Sequence, residues 1–283
     1  MNRFIKWLSE RKILTLIVSC LYLSSVIFLH KEVSRISDWF AANLSFKVYN
    51  RLNFSFSLLM FVIFILWIII KILKGEQRFQ KTICWFFTIS LVIVSYQLLV
   101  VFNVEIIHYP QYAILAILVY ALVKRFGETI FWVTLAGAFD EAYQYFFLLR
   151  DNVQVHFDFN DIVLNLIGGG IGIVLIYTLL DLKPDIHLFH RNTSRKWNTM
   201  MIWVLGGCIV IGGIFLYAVG ILRFYPEATP SPPLIVLSRV PPPTQFWIHP
   251  TIGKPYHIFH PIEGIVITAI LIACYAWMDD RLK

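Results

Sequence analysis

The sequence predicts an all-α, polytopic transmembrane helical bundle of about eight spans. Three observations predict it. Hydrophobic residues make up 58% of the 283 and charged residues only 14%, with a mean hydropathy of +0.71. A soluble domain is nearer half apolar and a quarter charged. Apolar runs of spanning length recur along the chain, and none shows the alternation of an outer-membrane strand. The 24 Phe, 13 Tyr and 9 Trp fit the aromatic belts of membrane–water interfaces. This composition excludes a soluble enzyme, a disordered chain, a coiled coil and a disulfide scaffold.

Spans are expected at 12–30, 54–73, 82–103, 109–123, 129–149, 161–181, 200–222 and 262–278. They are helices because only helices satisfy their own backbone in lipid. The first has a basic start but a long apolar run and no small-x-small cleavage site, so it reads as a retained anchor. Lys and Arg set the orientation. They gather at 3–12, 71–81, 124–125, 183–196 and 281–283, leaving only eight of the 24 for the other side. The positive-inside rule then places both termini in the cytoplasm. The net charge of +7 follows from that topology and from contact with membrane lipids, and no basic stripe suggests nucleic acid. Cys20, Cys84, Cys208 and Cys274 all fall within spans, which argues against disulfides or zinc and makes them small core residues.

The chain divides into three regions. Residues 1–103 hold N-terminal spans and an outer segment, 31–53, whose Val33, Ile36, Phe40 and Leu44 form the stripe of a helix lying on the membrane surface. Residues 104–181 form a polar-bearing core. Residues 182–283 form a transmembrane hairpin with a proline-rich outer loop; ten of the 12 prolines lie in 223–261, too many for a helix.

An ionisable group at membrane depth costs about 2.5–3.5 kcal/mol on insertion scales, so such residues are functional candidates by default. Three segments of the core carry them. One gives Glu105, His108 and Tyr112 on one helical face, near a helix start at Pro110. A second gives Asp140, Glu141, Gln144 and Arg150. A third gives Asp158, Asp161, Asn165, Gly168 and Gly172, the last four on one stripe whose glycine end admits a neighbouring helix. The predicted topology brings all three to the outer half of the membrane. Five acids there face one fixed cation, Arg150, and His108. Protonated acids, water or a bound cation would balance that charge, and a divalent cation suits these residue types although no specific metal spacing is present.

These residues resemble the VanZ-like family of bacterial membrane proteins. The likeness lies in the ordered pattern Glu105-x2-His108-x3-Tyr112, Asp140-Glu141-x2-Gln144, Arg150, and Asp158-x2-Asp161-x3-Asn165-x2-Gly168-x3-Gly172, over about residues 100–181. The stretch from Arg150 to Asp158 is longer than the family's, and no Pro-Gly precedes the arginine. The resemblance implies the bacterial cell envelope, since the family is named for a protein associated with resistance to the glycopeptide teicoplanin. It implies no particular reaction.

Acid–base chemistry is the option these residues offer, because there is no G-x-S-x-G elbow and the cysteines lie in spans. Asp140 or Glu141 would act as base, with His108 as acid–base partner and Asp161 beside it. Glu105, Tyr112, Gln144, Arg150, Asp158 and Asn165 would bind substrate, Arg150 holding an anionic group. The expected partner is a lipid-linked or cell-wall precursor. The competing classes are a non-enzymatic envelope binder and a proton- or cation-coupled transporter; the apolar inner half of the sixth span, GGGIGIVLIYTLL, disfavours the transporter. A looser cluster, His249, His257, His260 and Glu263, matches no metal template.

Overall fold

A computed structural model of the chain describes residues 2–148, 156–180, 194–225, 233–238, 246–248 and 253–281. Nine α-helices occur among them: α1 Asn2–Glu10, α2 Lys12–Leu44, α3 Phe46–Lys74, α4 Arg78–Leu98, α5 His108–Val123, α6 Phe126–Tyr143, α7 Phe159–Leu180, α8 Ser194–Ala218 and α9 Pro261–Arg281. A 3-10 turn, Asn103–Ile107, leads into α5, and a π-helical turn, Gln144–Leu148, ends α6. This is an all-α bundle of apolar helices.

A helix stands at each of the eight expected positions. Six segments are long and apolar enough to cross a membrane: α2, α3, α4, Asn103–Val123, α7 and Pro261–Met278. The other two fall short for different reasons. Helix α6, at 18 residues, is long enough but carries three acids, Glu128, Asp140 and Glu141. The apolar part described in α8, Val204–Ala218, is shorter than a span.

The stripe over 31–44 is helical, but not as a separate surface helix. Helix α2 runs unbroken for 33 residues, about 50 Å at 1.5 Å per residue, so it extends beyond a hydrocarbon core of about 30 Å. It breaks only at Ser45, whose φ is 65°. Helix α3 returns alongside, with Tyr49 Oη donating to Ser37 Oγ at 2.9 Å and Phe40 stacked on Tyr49. Two cysteines also differ from expectation. Cys20 and Cys208 are exposed on the bundle's outside, whereas Cys84 is buried; all four are free thiols.

Helix α7 is the centre, with 83% of its apolar stretch buried. Its glycines explain why. A Cβ on Gly168 would lie 2.7 Å from the carbonyl oxygen of Tyr109, and one on Gly172 would collide with that of Ala113, so α5 packs directly on the α7 backbone. Gly169 faces Val133 of α6 and Gly170 faces Tyr275 of α9. Three helices thus close on one short stretch, the packing mode favoured where lipid removes the hydrophobic drive between helices. The same contacts fix direction. His108 and Ala113 of α5 meet α7 in sequence order, while Gly137 and Val133 of α6 meet it in reverse. The starts of α5, α7 and α9 and the end of α6 therefore share one end of the bundle.

The proline-rich loop lies at that end and is tied down. Leu222–Arg223 (β1) pairs in parallel with Ile235–Val236 (β2), and Trp247–Ile248 (β3) pairs antiparallel with Pro255–Tyr256 (β4). Phe157 N donates to Leu237 O at 2.7 Å, and Tyr145 Oη to Val236 O at 2.9 Å. The Asn160 amide donates to His257 O and accepts from Phe259 N. Lys254 Nζ donates to Tyr96 O at 2.6 Å and Val100 O at 2.7 Å, carbonyls at the end of α4, and sits over the Tyr96 ring. Burial holds this ammonium below the usual lysine range, and the Glu105 charge pulls it back up.

Gly172→Ala should destabilise the protein by about 1–3 kcal/mol, because backbone cannot move aside for the added methyl. Gly207→Ala, where a Cβ would meet nothing within 4 Å, should leave stability unchanged or slightly higher. Thermal unfolding of the two purified variants in one detergent separates these outcomes.

Candidate functional site

Two hydrogen-bonded chains of polar side chains occupy the shared end. In the first, Tyr112 Oη of α5 donates to Asp140 Oδ2 of α6 at 3.0 Å. Gln144 Nε2, one turn on, donates to Asp140 Oδ1 and to Glu141 Oε1, both at 3.2 Å. Asp140 is fully buried, with Glu141 at 1% and Tyr112 at 1% exposure. In the second, His108 Nδ1 lies 2.8 Å from Asn165 Oδ1, and His108 Nε2 lies 3.5 Å from Asp161 Oδ2. Gly137 joins the two: lacking a side chain, it lets the Asn165 amide lie against α6, about one turn from Glu141.

His108 is the chemically informative member. With Asn165 Oδ1 facing Nδ1, that nitrogen donates. The other nitrogen faces the Asp161 carboxyl group. The carboxylates also act on one another: the charges of Asp140, Asp158 and Asp161 all reach Glu141, and those of Asp161 and Asp158 reach Glu105. Burial raises the Tyr256 phenol above its usual range, and the charges of Glu105 and Asp158 add to the effect, placing the loop beside the acids.

Glu105 and Asp158 sit at the rim and have local structural tasks. Glu105 Oε2 accepts from Val101 N at 2.8 Å, tightening the turn between α4 and α5. Asp158 Oδ1 accepts from Asn160 N at 2.9 Å and Asp161 N at 3.3 Å, capping the start of α7. Its other oxygen lies 3.9 Å from His156 Nε2. Nine of the ten candidate residues thus lie in or beside one assembly. The tenth, Arg150, lies outside the described residues.

Two residues that the sequence did not place at this site reach it from flanking regions. His30 of α2 is half-buried and interacts electrostatically with Asp140 and His108. It follows Tyr22, Leu23 and Val26, which pack against the Tyr112 cluster, and Tyr22 Oη donates to Gln111 O at 3.0 Å. That spacing was available in the sequence, but not which helix the stripe faces. Lys254 approaches Glu105 from the loop, and no local pattern marks it.

The looser histidine cluster is partly assembled. Glu263 Oε2 lies 3.1 Å from His257 Nε2 and accepts from His260 N, while Tyr225 Oη bonds His260 Nδ1. His249 lies outside the described residues. Among the described residues, no three His, Cys, Asp or Glu side chains are arranged to hold a metal ion, so the divalent cation suggested by the charge count finds no ligand set here.

Fold and geometry together define a helical membrane protein with a buried acid–histidine centre at one end of its bundle. Residues 102–180 match the VanZ/LLP1 family, and the chain is VanZ-like over this stretch. No curated protein and no solved structure matches the chain.

Tyr112→Phe should destabilise the protein by about 1–3 kcal/mol, since it leaves Asp140 Oδ2 buried without its donor. Combined with Asp140→Asn, the loss should be smaller than the sum of the single effects. A double-mutant cycle on detergent-solubilised protein measures the difference.

Proposed function

We propose that this VanZ-like membrane protein works in the bacterial cell envelope, with its acid–histidine centre facing the outer side, acting on or binding a lipid-linked or cell-wall-related anionic substrate, as in glycopeptide resistance-type proteins. The observation that carries the reading is the pair of polar chains, Tyr112–Asp140–Gln144–Glu141 and Asn165–His108–Asp161, at a single end of the bundle. That end is opposite the Lys- and Arg-rich segments 71–81 and 124–125, which supports an outward orientation.

The chemistry follows from the groups present. Asp140 and Glu141 accept protons; the His108–Asp161 pair returns one. Arg150, the fixed cation of the sequence pattern, holds the anionic headgroup. A site with both proton acceptor and proton donor suits hydrolysis or group transfer at a headgroup. Membrane lipids are its surroundings and the source of its substrate.

Orientation is testable directly. On a cysteine-free background, a membrane-impermeant maleimide added outside spheroplasts should label Leu234→Cys and leave Glu76→Cys unlabelled; the reverse pattern overturns the outward reading. Function is tested with purified Asp140→Asn, Glu141→Gln and His108→Gln and a polyprenyl-phosphate-linked cell-wall precursor. An enzyme should retain binding while turnover falls by about 100-fold or more. Binding and effect lost together identify a non-enzymatic binder. A wild-type protein that does not bind the precursor removes this substrate class.

A further inference from the structure

Three buried side-chain atoms along the α6–α7 contact have no hydrogen-bond partner: Thr134 Oγ1, Glu141 Oε2 and Asn165 Nδ2. Thr134, Gly137 and Glu141 are three and four residues apart, so they share one face of α6. Asn165 packs on Gly137 from α7, its Cβ and Nδ2 each 3.0 Å from where a glycine Cβ would be. Asn165 is fully buried and Glu141 is 1% exposed. A buried polar atom without a partner carries its full desolvation penalty. Here an acceptor and a donor are left over on the two helices that meet at one glycine.

Their other atoms are already engaged. Glu141 Oε1 accepts from Gln144, and Asn165 Oδ1 meets His108. The leftover atoms therefore specify what would complete them. A hydroxyl oxygen accepts from Asn165 Nδ2 and donates to an ionised Glu141 Oε2; if Glu141 is protonated, the same oxygen accepts from it as well. A phosphate or carboxylate oxygen satisfies the amide but repels the ionised acid. An ammonium satisfies the acid but not the amide. A hydroxyl alone among these serves both atoms in both protonation states.

We propose that Glu141 and Asn165 seat one hydroxyl oxygen between α6 and α7, supplied by a hydroxylated lipid headgroup or by water. The seat adjoins Asp140 and His108, so it deepens the functional reading above by naming the group presented to the acid–base centre. Its occupancy does not require that reading to hold.

The test is an electron cryo-microscopy structure of the full chain in nanodiscs of phosphatidylglycerol and, in parallel, of phosphatidic acid, which lacks the glycerol hydroxyls. Density within hydrogen-bond distance of both atoms is expected. Density continuous with lipid only in phosphatidylglycerol assigns a headgroup hydroxyl. Native mass spectrometry should then show that lipid retained over phosphatidic acid by about tenfold, the scale of one good hydrogen-bonded pair. Isolated density in both preparations assigns water. Glu141→Met keeps the bulk but removes the acceptor, and should empty the seat; Glu141→Gln should keep it filled. No density in either lipid, or density unchanged in Glu141→Met, overturns the proposal. Asp140→Asn separates the two claims, because it should abolish turnover under the functional reading yet leave the seat occupied.

Discussion

The direct approach of α5, α6 and α9 to the backbone of α7 is the constraint from which the rest of the structure follows. In lipid there is no water to expel from between helices, so close packing and interhelical hydrogen bonds must hold them. Gly168, Gly169, Gly170 and Gly172 remove the side chains that would keep the neighbours apart. Each faces a particular helix, and together they leave α7 the most enclosed of the candidate spans. The polar start of α7 is thereby carried into the middle of its neighbours. Asn165 and Asp161 can meet His108 only because Gly168, one turn deeper, lets α5 come this close.

That geometry changes the electrostatic problem. Five carboxyl groups near one another would be strongly unfavourable if all were ionised and dry. Local structure relieves part of this. Asp158 faces the N–H groups that begin α7, where the helix dipole favours negative charge. Glu105 takes up a turn N–H and lies within reach of Lys254. The acids at the rim are thus stabilised by backbone and by the loop, whereas Asp140 and Glu141 lie buried among side-chain partners, Tyr112 and Gln144.

The proline-rich loop contributes more than coverage. Its backbone and Lys254 bond to the end of α4, to the residues before α7 and to the turn after α6. A strap that reaches several helix ends must find partners for its own N–H groups, and in its described parts the β1–β2 and β3–β4 pairs supply some of them. The C-terminal region, outside the VanZ-like stretch, is in this way structurally continuous with the core.

The sequence by itself determined the class, the positions of the helices and where along each helix the polar residues stand. Those are properties of a hydropathy pattern and a helical period, and each is local. Glu105, His108, Asp140, Glu141 and Asp161 were legible because charge in an apolar run is conspicuous. What only the tertiary structure decided is lateral: which helix stands beside which. That choice joined His30 and Lys254 to the site, gave Asp158 a capping role, continued the presumed surface helix as the end of α2, and turned Cys20 and Cys208 outward. A one-dimensional pattern fixes how far along a helix a side chain stands and which stripe it belongs to. It does not fix which neighbour that stripe meets, because the answer depends on how glycines and bulky residues interlock around the whole bundle.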